Sequence, residues 1–215
     1  MTKEVKVLFN DCSKLNINSK EKCAVYYHGC FCPPHRGHLE SIDLILNHIK
    51  YNNLKLFINQ IGNSRHGISR ETNYYIMKTY LKELYSHIKY KHFEDKDRYK
   101  ILNDHNLSGI STIIIIKGIE KDADHNINSP FIRNKLINSN NDKYRYLTKK
   151  YNVIVLYTER GGVYSGTEFT RSLHEYKNKK NNYNKCLEFL PDIDVNKKNY
   201  IIKKLLETEL FKVDK

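Results

Sequence analysis

The chain has 215 residues, a mass of 25.6 kDa and a formal net charge of +13. Its length suits one ordinary domain, and its 40% hydrophobic and 12% aromatic residues can bury a core, which excludes wholesale disorder. The charge favours polyanionic partners. It also fits a general excess of lysine, asparagine, isoleucine and tyrosine, so the charge alone selects no function.

Three patterns that are missing from the sequence indicate the cellular compartment of the protein. The longest aliphatic run, Ile113–Ile116, is far shorter than the ~20 apolar residues of a membrane span. The first residues lack the apolar stretch of a secretory signal. The five cysteines are odd in number and irregularly spaced, which argues against a disulfide framework. We therefore expect a cytoplasmic protein, in a reducing compartment, with no membrane partner.

Strand patterns alternate with helical patterns along the chain. The strand candidates are Val25–Tyr27, Leu54–Ile58, Ile113–Ile116 and Val153–Leu156. Apolar residues at helical spacing run from His38 to Ile49. Ser69 is a candidate cap for a second helix whose apolar stripe reaches Ile88. This alternation predicts parallel β-α-β units, and hence an α/β fold with a Rossmann-like doubly wound parallel sheet.

The last forty residues have a different pattern. They carry no strand signal, Leu190–Pro191 interrupts them, and apolar positions from Tyr200 to Leu210 predict a final amphipathic helix. We therefore predict a Rossmann-like core over residues 1–171 and a C-terminal helical appendage of the same domain over residues 172–215.

The turn after the first strand candidate concentrates residues that can do chemistry. It reads Gly29-Cys30-Phe31-Cys32-Pro33-Pro34-His35-Arg36-Gly37-His38. Gly29 permits a tight turn and a close ligand. His35 and His38 lie three residues apart at a helix start, where unpaired N–H groups favour a phosphate. Two imidazoles there can hold a polyphosphate and stabilise the charge that builds up during substitution at phosphorus.

These ten residues match the signature G-x-F-x-P-x-H-x-G-H at every fixed position. From Lys22 to Arg171 the chain resembles the HxGH nucleotidylyltransferase superfamily, which includes nicotinamide-mononucleotide and phosphopantetheine adenylyltransferases and several cytidylyltransferases. The resemblance implies catalytic roles for His35 and His38. It also implies that Gly29 and Phe31 shape the nucleotide site.

The activity implied by the resemblance is transfer of a nucleotidyl group to a phosphate-bearing small molecule, with release of pyrophosphate. AMP from ATP is favoured, with CMP from CTP as the alternative, because the R-T-x-G-[IV]-S-T-[ST] signature of many cytidylyltransferases is missing. Mg²⁺ is the implied cofactor, held by the triphosphate and water rather than by a carboxylate cage. The resemblance is compatible with a homo-oligomer but does not determine the oligomeric state.

A segment late in the chain resembles the I-S-S-T-x-x-R element of the same superfamily. It contains Ser165, Gly166 and Thr167, which the resemblance assigns to phosphate binding. Thr170 stands in the slot of the arginine, and Arg171 follows it. Consecutive residues on a helix point about 100° apart. Arg171 can therefore make the phosphate contact of the expected arginine only if this turn of the helix is shifted; otherwise that contact is absent.

Two weaker segments complete the predicted site. Residues 117–124 resemble the R-G-x-R-x-x-x-D stretch of phosphopantetheine adenylyltransferases, which places Gly118 beside the nucleotide but puts Glu120 where a second arginine is expected. The loop after the second strand candidate offers three cationic residues that can face phosphates or the acceptor. These are Arg65, His66 and Arg70.

Other functions compete with this one. Zinc ligands are available in the turn: His28, Cys30, Cys32, His35 and His38. The spacing is not that of a common zinc knuckle, so we expect no metal site. The chain could also bind a nucleotide without turnover, or bind nucleic acid through its charge. The last is not expected, since a histidine pair accounts for a nucleoside triphosphate with only a few basic residues. A P-loop and a G-x-G-x-x-G motif are both missing.

Overall fold

The structure is a computed structural model that describes residues 4–15, 17, 20–49, 53–61, 67–96, 102, 107–120, 127–160 and 164–208. In this part of the chain six parallel strands form a single sheet in the order β1-β6-β5-β2-β3-β4. The strands are β1 (Lys6–Phe9), β2 (Cys23–Gly29), β3 (Leu54–Gln60), β4 (Lys89–Phe93), β5 (Thr112–Glu120) and β6 (Asn152–Arg160).

Helices lie on both sides of this sheet, which confirms the predicted α/β, Rossmann-like doubly wound fold. They are α1 (Arg36–Leu46), α2 (Arg70–Leu84), α3 (Pro130–Tyr144), α4 (Gly166–Lys177), α5 (Tyr183–Leu187) and α6 (Val195–Leu206), with a 3-10 turn over Leu147–Lys149. From residue 172 to residue 208 the regular structure is entirely helical. None of the helices in the described ranges is long and apolar enough to cross a bilayer.

The strand order reverses direction at β2. The chain proceeds from β2 to β3 and β4 on one side, then returns to place β5 and β6 on the other side. In open parallel sheets such a reversal leaves a crevice beyond the carboxyl ends of the strands, where ligands bind. The strand β2 therefore ends, at Gly29, where the topology favours a ligand site.

The chain divides into two compact units. The sheet unit comprises Met1–His28, Ser41–Asn59 and Ile88–Arg160. The motif unit comprises Gly29–Glu40, Gln60–His87 and Gly161–Lys215. The predicted boundary near Arg171 stays a prediction.

The core of the sheet unit is built on the central strands. All four isoleucines of Ile113–Ile116 have no exposed surface. Residues 112–116 of β5 pair with β2 on one side and with β6 on the other. Burial of such a side chain contributes roughly 1.5–3 kcal/mol, which explains why a strand buried on both faces is uniformly aliphatic.

Two strands were not predicted from the sequence. β1 has only four residues and forms by pairing with β6 in register, Lys6 beside Ile154. β4 reads Lys-Tyr-Lys-His-Phe and lies at the edge of the sheet, paired with β3 alone. Edge strands carry lysines rather than apolar runs, so their pattern gives little signal. Ile88 was predicted to belong to α2, but the helix ends at Leu84 and Ile88 is buried beyond it.

Candidate active site

The turn between β2 and α1 is compact and largely buried. Phe31 has φ +47°, a left-handed conformation that costs a non-glycine residue about 1–3 kcal/mol. Its ring meets the ring of His38 edge-on, with centroids 5.1 Å apart. A Cβ on Gly29 would lie 3.4 Å from the Phe31 ring. Gly29 and Phe31 are therefore packed together beside His38, and their predicted role in shaping a nucleotide site stays a prediction.

His35 and His38 are brought together, with ring centroids 3.8 Å apart and exposures of 1% and 3%. His35 Nδ1 accepts a hydrogen bond from the Gly37 N–H at 3.2 Å. His38 Nδ1 accepts one from the His35 N–H at 3.3 Å. Both side chains cap the start of α1. His35, the residue before the helix, accepts from the second helical residue, and His38, the third helical residue, accepts from the residue before the helix.

The capping pattern determines where the imidazole protons lie. Because each Nδ1 accepts a backbone N–H, the single proton of each neutral ring is on Nε2. The structural role of the two histidines is thus performed by Nδ1. Their Nε2–H groups are hydrogen-bond donors of the kind that phosphate oxygens accept.

The backbone N–H groups at the start of α1 have partners within the motif unit. The Arg36 N–H donates to Phe189 O at 2.7 Å, and the His38 N–H donates to His35 O at 3.0 Å. With the Gly37 N–H on His35 Nδ1, the first turn has three satisfied amides. We expected unpaired amides here. They are occupied because the histidine cap and the Phe189 segment supply acceptors, so any phosphate would rely on the histidines instead.

The start of α4 offers the amides that α1 does not. Ser165 is the N-cap, and its Oγ accepts from the Glu168 N–H at 3.1 Å. Within the described residues, the N–H groups of Gly166 and Thr167 make no hydrogen bond. Ser165 is therefore the cap of α4, and Thr167 lies inside the helix. Two open amides at a helix N-terminus can bind an anion.

The histidine turn and the segment that begins α4 meet in the motif unit. A Cβ on Gly37 would lie 2.8 Å from Tyr164 O, and a Cβ on Gly166 would lie 2.7 Å from Cys32 O. The Arg36 guanidinium lies 5.3 Å from the centroid of the Tyr164 ring. The histidine turn and the start of α4 are therefore in backbone contact, which only glycine permits at these two positions.

The arginine slot of the second signature has an unusual arrangement. Thr170 is buried, and its hydroxyl donates to Gly166 O at 2.8 Å. Arg171 is 61% exposed and pairs with Glu168 at 3.1 Å. Arg171 thus lies on the solvent side of α4, one turn after the open amides.

Other residues support the turn but carry no sequence signal. Asn73 of α2 donates from Nδ2 to Cys32 Sγ at 3.0 Å, while the Tyr80 hydroxyl donates to Pro34 O at 3.5 Å. Complete burial raises the pKa of Tyr80, so it stays a neutral donor. Since these partners are more than forty residues apart in sequence, no local pattern could have linked them.

The remaining predicted residues fall elsewhere. Gly118 lies in β5 of the sheet unit, paired with Thr158 of β6. Arg70 is the exposed first residue of α2. Arg65 and His66 lie outside the described residues, as do Asp124 and the side chain of Glu120.

Lys117 matches the first position of the R-G-x-R-x-x-x-D stretch, but the sequence did not predict its chemical environment. Its Nζ donates to Asn140 Oδ1 at 2.6 Å and lies 5.1 Å from the Tyr144 ring centroid. Burial, with repulsion from Lys143 as a smaller cause, lowers the pKa of Lys117 to about 8. No described carboxylate compensates this ammonium.

The zinc alternative can be compared with the geometry. All five of its candidate ligands are described, and among the described residues no three His, Cys, Asp or Glu side chains converge to hold a metal ion.

Comparisons with known proteins add no family assignment. No protein-family model matches this chain, and no curated protein sequence matches it. The fold and the geometry of the turn therefore carry the functional argument by themselves.

Proposed function

We propose that the protein is a nucleotidylyltransferase of the HxGH type, which transfers AMP from ATP to a phosphate-bearing small molecule and releases pyrophosphate. One observation carries this proposal: the capped histidine pair and the open start of α4 touch through Gly37 and Gly166. Two Nε2–H donors and two backbone N–H donors thereby belong to one compact unit. Such donors stabilise negative charge on phosphate oxygens.

In the proposed reaction an oxygen of the acceptor phosphate attacks the α-phosphorus of ATP in line. The bond between the α-phosphorus and the bridging oxygen to the β-phosphate breaks, and pyrophosphate leaves with that electron pair. His35 and His38 would donate from Nε2 to phosphate oxygens, and Gly166 and Thr167 would donate from their amides. Positioning and charge stabilisation supply the catalysis, so no covalent enzyme intermediate is needed.

Three contacts of this proposal rest on the resemblance. Gly118 would lie beside the nucleotide, and Arg65, His66 or Arg70 would face phosphates or the acceptor. Mg²⁺ would arrive with the triphosphate, held by its oxygens and by water, and would neutralise part of its charge. We propose that the protein acts in the cytoplasm. CTP is the alternative to ATP as the nucleotide substrate.

The test is pyrophosphate release from the full chain with ATP and Mg²⁺ over a panel of phosphorylated acceptors, with a CTP series in parallel. We expect release with ATP and at least one acceptor. His38→Ala should lower the rate on the order of 10²–10³-fold. His48→Ala is the matched control, because His48 is exposed and its Nδ1 contacts only Leu44 O of its own helix turn. Undiminished turnover by His38→Ala would refute the assigned role.

A second candidate function is nucleotide binding without turnover. It is favoured by the buried Thr170 in the arginine slot and by the ion pair that occupies Arg171. Thermal-shift measurements with ATP and Mg²⁺ separate the two functions. Stabilisation by ATP that depends on His38, with no pyrophosphate from any acceptor, would support the binding protein over the enzyme.

A further inference from the structure

A lysine amine lies among aromatic rings in the sheet unit, directly after the isoleucine run of β5. Lys117 follows Ile116, and its Nζ lies 5.1 Å from the centroid of the Tyr144 ring and 5.4 Å from that of the Tyr157 ring. Tyr144 has no exposed surface, and Tyr157 is 5% exposed. We call Lys117, Tyr144, Tyr157 and Asn140 the amine site, and all four belong to the sheet unit.

The hydrogen bonds of Asn140 fix the direction in which it meets the amine. Its Nδ2 donates to Leu136 O and, at 2.8 Å, to the Tyr157 hydroxyl. Both amide protons are thereby used, and Oδ1 is left to accept from Lys117 Nζ at 2.6 Å. The Tyr157 hydroxyl accepts from Nζ at the longer distance of 3.4 Å. One strong acceptor and two ring faces therefore surround the nitrogen.

The positive charge of this nitrogen is not offset by an ion pair. In the described part of the chain no salt bridge includes Lys117. The charged group that acts on it is Lys143, whose Nζ lies 5.8 Å from the centroid of the same Tyr144 ring. Burial, and to a smaller extent this repulsion, lower the pKa of Lys117 to about 8. At pH 7 roughly a tenth of the amine is therefore neutral, against about 0.04% for an ordinary lysine.

Packing alone does not account for a lysine at this position. Ile113–Ile116 fill the preceding positions of β5 with buried apolar side chains, and a methionine has a similar length with no charge to desolvate. The two rings attract a cation but do not neutralise it. Lys117 and the neighbouring Gly118 are both half-buried, so solvent reaches this part of the strand. The amine is thus desolvated and still accessible.

We propose that Lys117 is a covalent site for a small aldehyde with an anionic group, which it takes up as an imine. A lysine becomes a nucleophile when it is desolvated or when another cation lies beside it, and both conditions hold here. A protonated imine has one N–H, which matches the acceptor Asn140 Oδ1, and a positive charge, which the faces of Tyr144 and Tyr157 attract. The charge of Lys143 favours an anionic group on the aldehyde. This site does not depend on the proposed catalytic function.

The covalent step is a condensation that releases water. The lone pair of the neutral Nζ attacks the carbonyl carbon, the nitrogen gives one proton to solvent, and the carbonyl oxygen gains one. The resulting hydroxyl group takes a second proton and leaves as water with the electrons of its C–O bond, while the nitrogen lone pair forms the C=N bond. Sodium cyanoborohydride then supplies a hydride to the carbon, which converts the imine into a stable secondary amine.

Labelling of the full chain with sodium glyoxylate and sodium cyanoborohydride at pH 7 tests the site. Glyoxylate is the anionic aldehyde, and reduction leaves a carboxymethyl group that mass spectrometry of the digested chain locates on each lysine. The references are Lys149 and Lys150, two exposed lysines of the same unit. We expect Lys117 to be labelled about tenfold or more faster than either reference. Glycolaldehyde, a neutral aldehyde of equal length, should label Lys117 more slowly than glyoxylate does.

Two pairs of variants test the surroundings of the amine. Asn140→Asp puts a carboxylate against Nζ, so Lys117 should keep its proton and be labelled about tenfold more slowly. Asn138→Asp, exposed on the same helix, should leave the rate unchanged. Because Asn140→Asp also loses the hydrogen bonds that Nδ2 donates, its thermal unfolding is measured alongside. Lys143→Gln removes the repulsion from an exposed position and should slow labelling about twofold or more, whereas Lys135→Gln, also exposed on α3, should not.

Three results would overturn the proposal. The first is labelling of Lys117 no faster than that of Lys149 and Lys150, which would mean general surface reactivity. The second is a wild-type labelling rate in both Lys143→Gln and a folded Asn140→Asp. The third is faster labelling by glycolaldehyde than by glyoxylate, which would exclude an anionic aldehyde as the ligand. Pyrophosphate release enters none of these measurements, so their outcome is separate from the test of the proposed function.

Discussion

Gly166 is packed against Cys32 so closely that a Cβ on Gly166 would lie 2.7 Å from the Cys32 carbonyl oxygen. Backbone at that distance cannot give way as a flexible side chain would. The start of α4 and the histidine turn therefore hold each other in position, and the open amides of α4 depend on that contact.

Gly166→Ala should consequently destabilise the protein, although alanine favours a helix over glycine by about 1 kcal/mol. The backbone clash should outweigh this gain, since overpacking costs typically about 1–3 kcal/mol. Thermal unfolding should show a Tm lower by several degrees, and pyrophosphate release should fall with it. Gly29→Ala is the control, because its Cβ would make an ordinary 3.4 Å contact with the Phe31 ring. Equal Tm values for the two variants would contradict the close packing.

The two nitrogens of His38 can be tested separately. Asparagine places an acceptor near the Nδ1 position, so His38→Asn should retain the hydrogen bond from the His35 N–H and melt close to the wild type. It lacks a donor at the Nε2 position, so pyrophosphate release should fall on the order of 10²–10³-fold. His38→Gln places a donor near Nε2 and should keep more activity with a lower Tm. If His38→Asn had the lower Tm and the higher rate of pyrophosphate release, the structural role of Nδ1 and the catalytic role of Nε2 would both be refuted.

Lys117 should make stability depend on pH in the alkaline range. Its folded pKa, about 8, lies below the value of about 10.4 for an unfolded lysine. Between these values the unfolded chain binds more protons than the folded chain, so stability should rise as the pH rises from 8 to about 10. Urea unfolding of the wild type and Lys117→Met over this range measures the effect. The wild type should gain stability relative to the variant, and parallel curves would exclude the proposed burial of the charge.

Thiol reactivity should distinguish Cys30 from the other four cysteines. Cys12, Cys23, Cys32 and Cys186 are buried, whereas Cys30 is half-buried. Burial also raises the pKa of Cys12 and of Cys23 to about 11, which suppresses their thiolates. A chromogenic disulfide reagent at pH 8 should modify one thiol rapidly in the native protein and none rapidly in Cys30→Ser. If the proposed function holds, ATP should slow the reaction of Cys30.

Introducing arginine at position 170, where the element that this segment resembles has one, should not raise the activity. Thr170 is 6% exposed and its hydroxyl bonds to Gly166 O, so an arginine would be forced into a packed interior. Thr170→Arg should lower the Tm without raising pyrophosphate release, while Thr170→Val, which keeps the volume, should melt near the wild type. Increased turnover in the arginine variant would mean that this turn of α4 can shift.

The central strands and the histidine turn were predictable because each depends on local chemistry. A run such as Ile113–Ile116 is stable only when buried on both faces, and the spacing of His35 and His38 is itself a capping pattern. β1 and β4 were not predictable, because pairing with β6 and β3 stabilises them more than their own side chains do.

The sequence by itself determined the α/β class, the position of the histidine turn and the types of chemical group in it. Only the tertiary structure decided which groups of that turn can act. The Phe189 carbonyl takes an amide of α1, each Nδ1 is committed to the backbone, and Thr170 is enclosed. Secondary-structure propensity and residue spacing act over a few residues. The hydrogen-bond partners of the turn and the burial of Thr170 depend instead on packing between segments that are far apart in the chain.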